Sequence, residues 1–434
     1  MSDHACIKLS MNLTQTKRGP GTWKLNCSLL KDPNYIDHIK STIREIADFN
    51  RDCSPNTRWE VIKLAVRSNS IEYSARIKKL KQNKIEVLEK KLHEVEQLNY
   101  KSPTEQYLRE IKQIKEELEI YVEEKTRGAM VRSRARWIEE AEHPTKYFFN
   151  LEKRNSINKT IKALKLEDDS LTYDPQIILN TIQNFYKKLY STRLIETPDF
   201  EFLQRLPIPS LTADERESLE SQITEQELFS ALQSCKNNKT PGSDGFPSEF
   251  YKIFWHEIKD YLLDSIHYSF DNKRLSYSQR QGIISLLPKK EKNIQKIKNW
   301  RPISLLNVDY KLIAKVIARR IKKYISKVIA RDQTGFIHNR YIGENIVKIL
   351  NIMEYCEEHD IPAILLAIDF EKAYDSVEWP IIDFALKTFN FGPVMRDWVS
   401  IMYQDIESCI TNNGHLTEYF HLERGIRQGC PLSS

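Results

Sequence analysis

The chain has 434 residues, of which 40% are hydrophobic and 29% are charged, and its formal net charge is +6. This length allows two to four domains. No uncharged apolar run approaches the length of a membrane span, and the N-terminus lacks the basic and apolar regions of a signal peptide, so we expect an intracellular protein that does not enter a membrane. The seven cysteines form no Cys-x-x-Cys pair, which argues against zinc and redox chemistry.

The first third of the chain is predicted to be mostly helical. Residues 1–30 are too few to fold alone. Between residues 59 and 150, apolar residues recur at three- and four-residue steps in two runs, which predicts a helical hairpin. The runs are Ile85, Leu88, Leu92 and Val95, then Ile111, Ile114, Leu118 and Tyr121. Ser102-Pro-Thr-Glu105 supplies a capping box and a first-turn proline, so the second helix should start there. Both runs are short, which favours a structural arm over an oligomerisation device.

A cluster of arginines, Arg132, Arg134 and Arg136, precedes Trp137, and the aromatic run Lys146-Tyr-Phe-Phe149 follows. Basic residues interleaved with aromatic ones can follow a nucleic-acid strand. The pattern is equally typical of an exposed helix face that leads into a core turn. Both interpretations stay open on these residues.

A turn and two apolar runs mark a new organisation after residue 238. Lys239-Thr-Pro-Gly-Ser-Asp-Gly-Phe-Pro247 is a dense turn signal that predicts the start of a domain, but it lacks the spacing of a phosphate-binding P-loop. Residues 282–287 and 299–306 each predict a strand. Lys289 and Arg301 lie at the ends of these strands, so two basic tips are close in sequence.

An amphipathic helix is predicted between residues 311 and 331. This segment holds eight basic residues and no acidic one, and its apolar residues recur at three- and four-residue steps. Four basic residues fall on one stripe that suits a phosphate backbone: Lys311, Lys315, Arg319 and Lys322. A solvated basic face without a partner is the alternative. An anionic membrane surface is a weaker one, because the apolar side has the character of a core face.

Residues 361–368 form an uncharged apolar run that ends on Asp369. The length of this run predicts a buried strand rather than a helix. Aspartate is almost never fully buried unless it is paired or holds a cation. Asp369 is therefore either a metal ligand at a strand end or a capping or surface residue.

Near the end of the sequence, Asn413-Gly414 separates two apolar runs and predicts a hairpin with a type I′ turn. The second half of the chain thus alternates short strands with helices, and places basic and carboxylate residues at the strand ends. We interpret this pattern as an α+β fold that transfers phosphoryl groups.

Six motifs follow one another in the second half, and together they resemble the reverse transcriptase of LINE-type non-LTR retrotransposons, whose polyprotein also carries an apurinic-endonuclease-like domain. The motifs are Thr240-Pro-Gly-Ser-Asp-Gly245, Ser285-Leu-Leu-Pro-Lys-Lys290, Asn299-Trp-Arg-Pro-Ile-Ser304, Asp332-Gln-Thr-Gly-Phe336, Ile368-Asp-Phe-Glu-Lys-Ala-Tyr-Asp375 and Gly425-Ile-Arg-Gln-Gly-Cys-Pro-Leu-Ser433. Upstream, residues 132–137 and 145–149 are similar to the helical linker of the family.

The resemblance implies an α+β fold with right-hand polymerase fingers and a partial palm. Residues 1–30 would be a remnant of the endonuclease-like domain, with Asp3 and His4 from its last catalytic motif. The other regions would be a basic helical linker with a helical hairpin at 31–155, a helical N-terminal extension of the polymerase at 156–238, and a reverse transcriptase domain at 239–434 that is truncated before the Ala-Asp-Asp motif.

The family joins the 3′ hydroxyl of a DNA primer to a deoxynucleoside triphosphate on an RNA template, with two Mg²⁺ ions. By resemblance, Asp369 is the first catalytic, metal-binding carboxylate, and the backbone at Phe370 would approach the triphosphate. Tyr374 matches the aromatic gate that closes on the sugar, with an ordinary core aromatic as the alternative.

The resemblance also supplies expectations for the nucleotide pocket. Lys289 and Arg301 match the residues of the fingers that neutralise the triphosphate, although the neighbouring Lys290 could take the place of Lys289. Gln428 matches the residue that lines the pocket, and Gly429 would let the backbone approach closely.

One departure from the family pattern affects the expected activity. The paired aspartates follow the last motif in the family, whereas Ser434 is the last residue here, and Asp168-Asp169 is better interpreted as a turn. We therefore expect an internal fragment of a retrotransposon polyprotein with weak Mg²⁺ binding and little or no catalysis. Two alternatives stay open: the protein continues past Ser434 and is an active polymerase, or it is a non-catalytic RNA- or DNA-binding protein derived from the element. The family implies the cytoplasm and nucleus as locations.

Overall fold

The computed structural model describes residues 18–133, 159–196, 200 and 207–433, with the backbone alone for residues 125–133. The helices are α1 Pro33–Phe49, α2 Pro55–Lys101, α3 Glu105–Ser133, α4 Pro175–Tyr190, α5 Ala213–Glu217, α6 Glu225–Gln233, α7 Ser248–Ile253, α8 Trp255–Asp271, α9 Tyr277–Arg280, α10 Val308–Val328, α11 Gly343–Glu358, α12 Trp379–Thr388 and α13 Pro393–Ile401. The strands are β1 Leu164–Lys165, β2 Leu171–Thr172, β3 Gln281–Pro288, β4 Trp300–Leu306, β5 Glu407–Asn412, β6 His415–Leu416 and β7 Phe420–His421. Short 3-10 helices span Leu29–Lys31, Ile297–Asn299, Ala373–Ser376 and Pro431–Ser433. The chain is thus of the mixed helix and sheet class that its sequence predicts.

A five-stranded sheet organises the second half of the chain. Its order is β4-β3-β5-β6, and β7 also pairs with β5. The central strand β3 runs antiparallel to β4 and parallel to β5. Most of β3 is buried, as its unbroken apolar run requires. The strands predicted at 282–287 and 299–306 are therefore confirmed, and positive φ angles at Asn413 and Gly414 are those of the predicted type I′ turn.

Helix α10 lies in the centre of the core. The predicted helix is confirmed, with both ends about one turn earlier than the basic segment that indicated it. Its apolar stripe is buried, with Leu312, Ile313 and Val316 at 0–1% exposure. At its start, the side chain of Asn307 donates to the carbonyl oxygen of Ser278 (2.8 Å) and accepts from the backbone N–H of Asp244 (3.2 Å). The turn at 239–247 is thereby fixed against the first residues of α10.

The N-terminal helices are part of the same core. Ile39 of α1 and Ile62 of α2 are buried in one cluster with Tyr251 of α7 and Ile258 of α8. Helix α2 is 47 residues long, and its C-terminal part, after Tyr73, extends beyond this core. Most of the exposed side chains of that C-terminal part are polar or charged, which suits a helix that projects into solvent.

The predicted helical hairpin is confirmed by the pairing of α2 with α3. Val95 and Ile114 are buried between the two helices. Salt bridges join the helices at Lys91–Glu110 (2.7 Å) and Lys115–Glu96 (2.9 Å). The cap of α3 lies two residues later than predicted, because the Thr104 hydroxyl accepts from the backbone N–H of Tyr107 (3.2 Å), while Ser102 closes the end of α2.

A buried ion pair joins α2 to the start of α10. The ammonium of Lys63 lies 2.9 Å from Asp309 Oδ2, and the Trp59 indole N–H donates to the same oxygen at 2.9 Å. Burial acts to raise the pKa of Asp309, but the charge of Lys63 and the hydrogen bonds outweigh it and hold this pKa below its ordinary value. Both charges are buried and both are paired, which is the condition under which buried charges are tolerated.

The strand predicted at residues 361–368 is absent, and this prediction is wrong. In the described part of the chain no strand pairs with the segment, and its apolar side chains face solvent, with Ile364 96% exposed and Leu366 75% exposed. An extended segment becomes a strand only where a neighbouring strand takes up its N–H and C=O groups. Apolar composition alone does not supply that neighbour. The preceding helix α11 likewise buries none of its residues.

Several predictions concern residues outside this description. Asp3, His4, Arg134 and Arg136 lie outside the described residues, and Arg132 is described by its backbone alone. Among the helices of the described ranges, none is both long enough and apolar enough to cross a membrane.

Candidate functional site

Two of the sequence motifs meet at a buried joint between residues 374–378 and 424–428. The backbone N–H of Ile426 donates to the carbonyl of Tyr374 (2.7 Å), and that of Gly425 donates to the carbonyl of Val377 (2.7 Å). The Arg424 guanidinium pairs with Glu378 at 3.2 Å. These bonds fix the loop that follows β7 against the turn that follows Asp369.

The centre of this joint is the carboxylate of Asp375, which is only 4% exposed. The side-chain amide of Gln428 donates to both of its oxygens, at 3.1 and 3.2 Å. The hydroxyl of Tyr190, at the end of α4, donates to Oδ1 at 3.1 Å. Three segments that are far apart in sequence therefore share one buried acceptor.

The charges around Asp375 are positive. Burial raises the pKa of its carboxyl above the ordinary value, while the two hydrogen bonds and the charges of Lys372 and Lys289 act in the opposite direction. Lys372 has a positive φ of 53° and places its ammonium 4.2 Å from the centre of the Phe185 ring. The site is thus a buried carboxylate under the influence of two half-buried lysines, Lys372 and Lys289.

Strands β3 and β4 bring the predicted basic tips together. Leu287 is the register partner of Arg301, and the backbone N–H of Lys289 donates to the carbonyl of Asn299 at 2.9 Å. Arg301 is exposed. Lys289 is half-buried and its charge acts to lower the pKa of Asp375, whereas Lys290 is exposed.

Two glycines permit the close approach of the loop. Gly425 has φ +83°, and a Cβ there would lie 2.7 Å from the carbonyl oxygen of Asp375. Gly429 has φ +106°, and a Cβ there would lie 2.9 Å from the carbonyl oxygen of Ser304. The backbone N–H of Ser304 also donates to the carbonyl of Gln428 at 2.7 Å. The close approach expected at Gly429 is therefore made to strand β4 of the chain itself.

The other predicted site residues lie on the exposed side of the joint. Asp369 is exposed and Phe370 is 77% exposed, both on the unpaired segment described above. Tyr374 is 40% exposed and meets Phe336 edge to face, with 6.2 Å between ring centres. Tyr374 is therefore a surface aromatic beside the joint and not a core residue.

The described residues do not fit a two-metal site. Two ions about 3.5–4 Å apart need several convergent carboxylates. No group of three or more His, Cys, Asp or Glu side chains suited to a metal occurs within residues 18–133, 159–196 and 207–433. Asp369 lies apart on its exposed segment, and Asp375 is occupied by Tyr190 and Gln428.

The basic stripe of α10 contacts another helix. Lys315 donates to the hydroxyl of Ser234 (2.9 Å), and Arg319 donates to the hydroxyl and the carbonyl oxygen of Ser230 (2.9 and 3.3 Å). These acceptors lie at the C-terminal end of α6, where positive charge is favourable. Lys311 is half-buried, and burial lowers its pKa. Lys322 is exposed and is the member of the stripe that most closely fits the prediction of an outward cation.

Comparisons with known proteins agree with the motifs. The family model described as reverse transcriptase (RNA-dependent DNA polymerase) matches residues 287–434. A 149 kDa protein of transposon TX1 from Xenopus laevis is 33% identical over 435 residues, which cover 100% of this chain and 33% of that protein. A Pol polyprotein of the type-2 retrotransposable element R2DM from Drosophila melanogaster is 24% identical over 213 residues, or 49% of this chain and 19% of the relative.

Residues 287–434 therefore belong to the reverse transcriptase family, and the chain is a relative of non-LTR retrotransposon proteins of the LINE type. The resemblance inferred from the six motifs is confirmed. The chain spans about a third of the length of its TX1 relative and about a fifth of the R2DM polyprotein.

Sequence reasoning missed two residues of the joint. Asp375 stood at the end of a motif but had no assigned role, and its place beside Tyr374 gave no sign of its partners. Tyr190 lies 185 positions before Asp375, and no local pattern links them. The fold alone brings Tyr190 to the site.

Proposed function

We propose that this chain carries the part of an RNA-directed DNA polymerase that holds the incoming nucleotide and the template. The observation that carries the proposal is the joint of Asp375 and Gln428 beside Lys289, inside the segment that matches the reverse transcriptase family. The strands β3 and β4 would belong to the fingers. Deoxynucleoside triphosphates, an RNA template and a DNA primer are the proposed ligands.

Each residue around the joint has a role that follows from its chemistry. Arg301 is an exposed, permanently charged fork that suits phosphate oxygens, and Lys289 adds a point charge on the neighbouring strand. Tyr374 is 40% exposed and would close on the sugar of the nucleotide. Gln428 supplies the amide that borders the nucleotide, and the backbone near Phe370 approaches the phosphates.

Catalysis requires more than the described residues provide. The family uses divalent metal ions, which stabilise the charge that develops as phosphate is transferred. By its motif Asp369 would be the first metal ligand, but within the described ranges it belongs to no group of three or more His, Cys, Asp or Glu side chains suited to a metal. We therefore propose nucleotide and nucleic-acid binding as the activity of this chain, with little or no primer extension.

A non-catalytic nucleic-acid-binding role is the second candidate. The exposed cations Arg319 and Lys322 of α10 favour it. Changing Lys322 to Glu should lower the affinity for RNA and reduce the slope of log affinity against log salt by about one unit or more, since one phosphate contact is lost. An unchanged slope would exclude α10 as the nucleic-acid surface.

The test of the proposed function compares two exposed basic residues, Arg301 on β4 and Lys290 just after β3. Arg301→Ala should weaken binding of a deoxynucleoside triphosphate to the primer–template complex by roughly tenfold or more, because a charge-assisted contact is lost. Lys290→Ala removes a neighbouring exposed charge and should change the affinity by less than about twofold. Equal effects would show that only general positive charge matters. Failure of the unaltered chain to bind the nucleotide would refute the proposal.

A companion assay concerns catalysis. Primer extension on an RNA template with Mg²⁺ should be weak or undetectable for the unaltered chain. Any extension that is observed should disappear in Asp369→Asn, while RNA binding stays within a few-fold. Extension that is equal in the two proteins would remove Asp369 from the site.

A further inference from the structure

The amide of Gln428 has a fixed orientation because of what it contacts. An ionised carboxylate accepts hydrogen bonds and cannot donate them. Only the Nε2 end of the amide can therefore face Asp375, as the two distances of 3.1 and 3.2 Å indicate. A rotated amide would bring Oε1 against two carboxylate oxygens and would lose both bonds.

The carboxylate is itself held from the other side. Tyr190 donates to Oδ1 at 3.1 Å, and the ring of Tyr190 stacks on that of Tyr186 with 6.2 Å between their centres. Both tyrosines are buried, so the position of the hydroxyl is set by packing. Tyr190 thus limits the directions that Asp375 can take, and its ring lies beside Gly425 of the loop that carries Gln428.

The backbone of Gln428 is fixed as well. Its carbonyl accepts from the N–H of Ser304 on β4, and Ile426 two residues earlier is bonded to Tyr374. The side chain is then held by its amide, whose two bonds to Asp375 limit rotation of the terminal group. The half-exposed side chain then turns its Oε1 acceptor away from the carboxylate.

We propose that Asp375 and Tyr190 are positioning residues that fix the amide of Gln428, so that a nucleotide meets a hydrogen-bond acceptor, Oε1, and not the NH₂ group. The recognised group on the ligand is then a hydroxyl or N–H donor. This inference rests on the proposed nucleotide-binding function for its ligand, but the orientation of the amide is a property of the chain alone.

The first experiment measures that orientation without any ligand. The side-chain amide signals of Gln428 are followed by NMR in protein labelled with ¹⁵N at glutamine, and are assigned by their loss in Gln428→Ala. We expect these signals to be shifted and protected from exchange in the unaltered chain, to move to the position of a free amide in Asp375→Ala, and to move part of the way in Tyr190→Phe.

Matched variants separate positioning from general packing. Tyr186→Phe removes another buried hydroxyl of α4, which is bonded to the Trp300 carbonyl at 3.3 Å, and should leave the Gln428 signals unchanged. If Asp375→Ala does not fold, the isosteric Asp375→Asn replaces it, because an asparagine can accept or donate and lets the amide take both orientations. Gln428 signals that are the same in the Asp375 variants and the unaltered chain overturn the proposal.

The second experiment measures the affinity of a deoxynucleoside triphosphate for the complex of the chain with primer and template. Asp375→Asn should weaken it by roughly tenfold, the size of one lost charge-assisted bond, and Tyr190→Phe by a few-fold, with no change in Tyr186→Phe. If the amide signals move but the affinities do not, the positioning role is refuted. If the unaltered chain binds no nucleotide, the proposed function fails, and the NMR result still decides the orientation.

Discussion

The sequence motif from Ile368 to Asp375 contains two aspartates with opposite surroundings. Asp369 lies on an extended, exposed segment that pairs with no strand among the described residues. Asp375 is 4% exposed and accepts from Tyr190 and Gln428. From the sequence, Asp369 had an assigned role and Asp375 had none. Their difference shows that a buried position depends on the partners that the rest of the fold supplies.

The same contrast extends to the residues around each aspartate. The segment 361–370 exposes Ile364, Leu365 and Leu366, whereas the loop 424–428 is fixed by backbone bonds to residues 374 and 377. Local stability should therefore differ strongly across only a few residues. The predictions below proceed from the largest difference to the smallest.

Hydrogen exchange should distinguish the two regions most sharply. The backbone amides of residues 362–370, apart from proline, should exchange at nearly unprotected rates, because no strand accepts them. The amides of Gly425 and Ile426 should exchange at least roughly a thousandfold more slowly, since they become accessible to solvent only when the joint opens. Peptide-resolved mass spectrometry would measure both. Similar protection in the two regions would contradict the description of the exposed segment.

Removing Glu378 should have the largest effect on global stability. Its carboxylate pairs with buried Arg424 and accepts from the Thr192 hydroxyl at 2.9 Å. Glu378→Ala leaves a buried guanidinium without its partner, and should lower the free energy of unfolding by about 3 kcal/mol. The matched control is Glu371→Ala on the exposed side, for which a change within about 0.5 kcal/mol is expected. Chemical denaturation followed by fluorescence would measure both.

The two aspartates themselves give a smaller difference. Asp375→Ala leaves the Tyr190 hydroxyl and the Gln428 amide without their acceptor, and should cost about 1–3 kcal/mol of unfolding free energy. Asp369→Ala should change it by less than about 0.5 kcal/mol. Equal losses measured by chemical denaturation would mean that Asp369 has partners in solution that the structure lacks.

The smallest expected effect is on the pH dependence of stability. Burial raises the pKa of Asp375 in the folded chain above its unfolded value, so the folded state binds this proton more tightly. Ionisation of Asp375 therefore reduces stability as pH rises from the unfolded pKa through the folded pKa. Compared with Asp375→Asn, the unaltered chain should gain stability when the pH falls through that interval. The unfolding free energies of the unaltered chain and of Asp375→Asn would be measured across this pH interval. If their difference stays constant, or changes in the opposite direction, the pKa of Asp375 is not raised in the folded chain.

Much of the fold could be predicted from local patterns. The strands β3 and β4, the hairpin of α2 and α3, helix α10 and the turn at Asn413-Gly414 follow from apolar spacing, capping residues and backbone preferences. Each of these signals acts within a few residues. The strand expected at 361–368 failed for the opposite reason, because a strand exists only through its neighbour, and apolar residues do not specify one.

The candidate site was predictable in its residue types but not in its contacts. The sequence indicated Lys289, Arg301 and Gln428; β3 and β4 bring Lys289 and Arg301 to one end of the sheet, and the loop after β7 bonds Gln428 to Ser304 of β4. The partners of these residues depend on distant segments, as Tyr190 does. Charge patterns also failed to show that Lys315 and Arg319 contact the end of α6.

The ion pair between Lys63 and Asp309 has a consequence for the synthesis of the chain. The two residues are 246 positions apart, and translation at 5–20 residues per second takes roughly 12–50 seconds to cover that distance. Lys63 and its helix neighbour Glu60, which lies 3.3 Å from it, therefore leave the ribosome long before Asp309 exists. The N-terminal helices cannot close the contact between Lys63 and Asp309 until residue 309 has been made, so we expect this part of the core to form only after that point in synthesis.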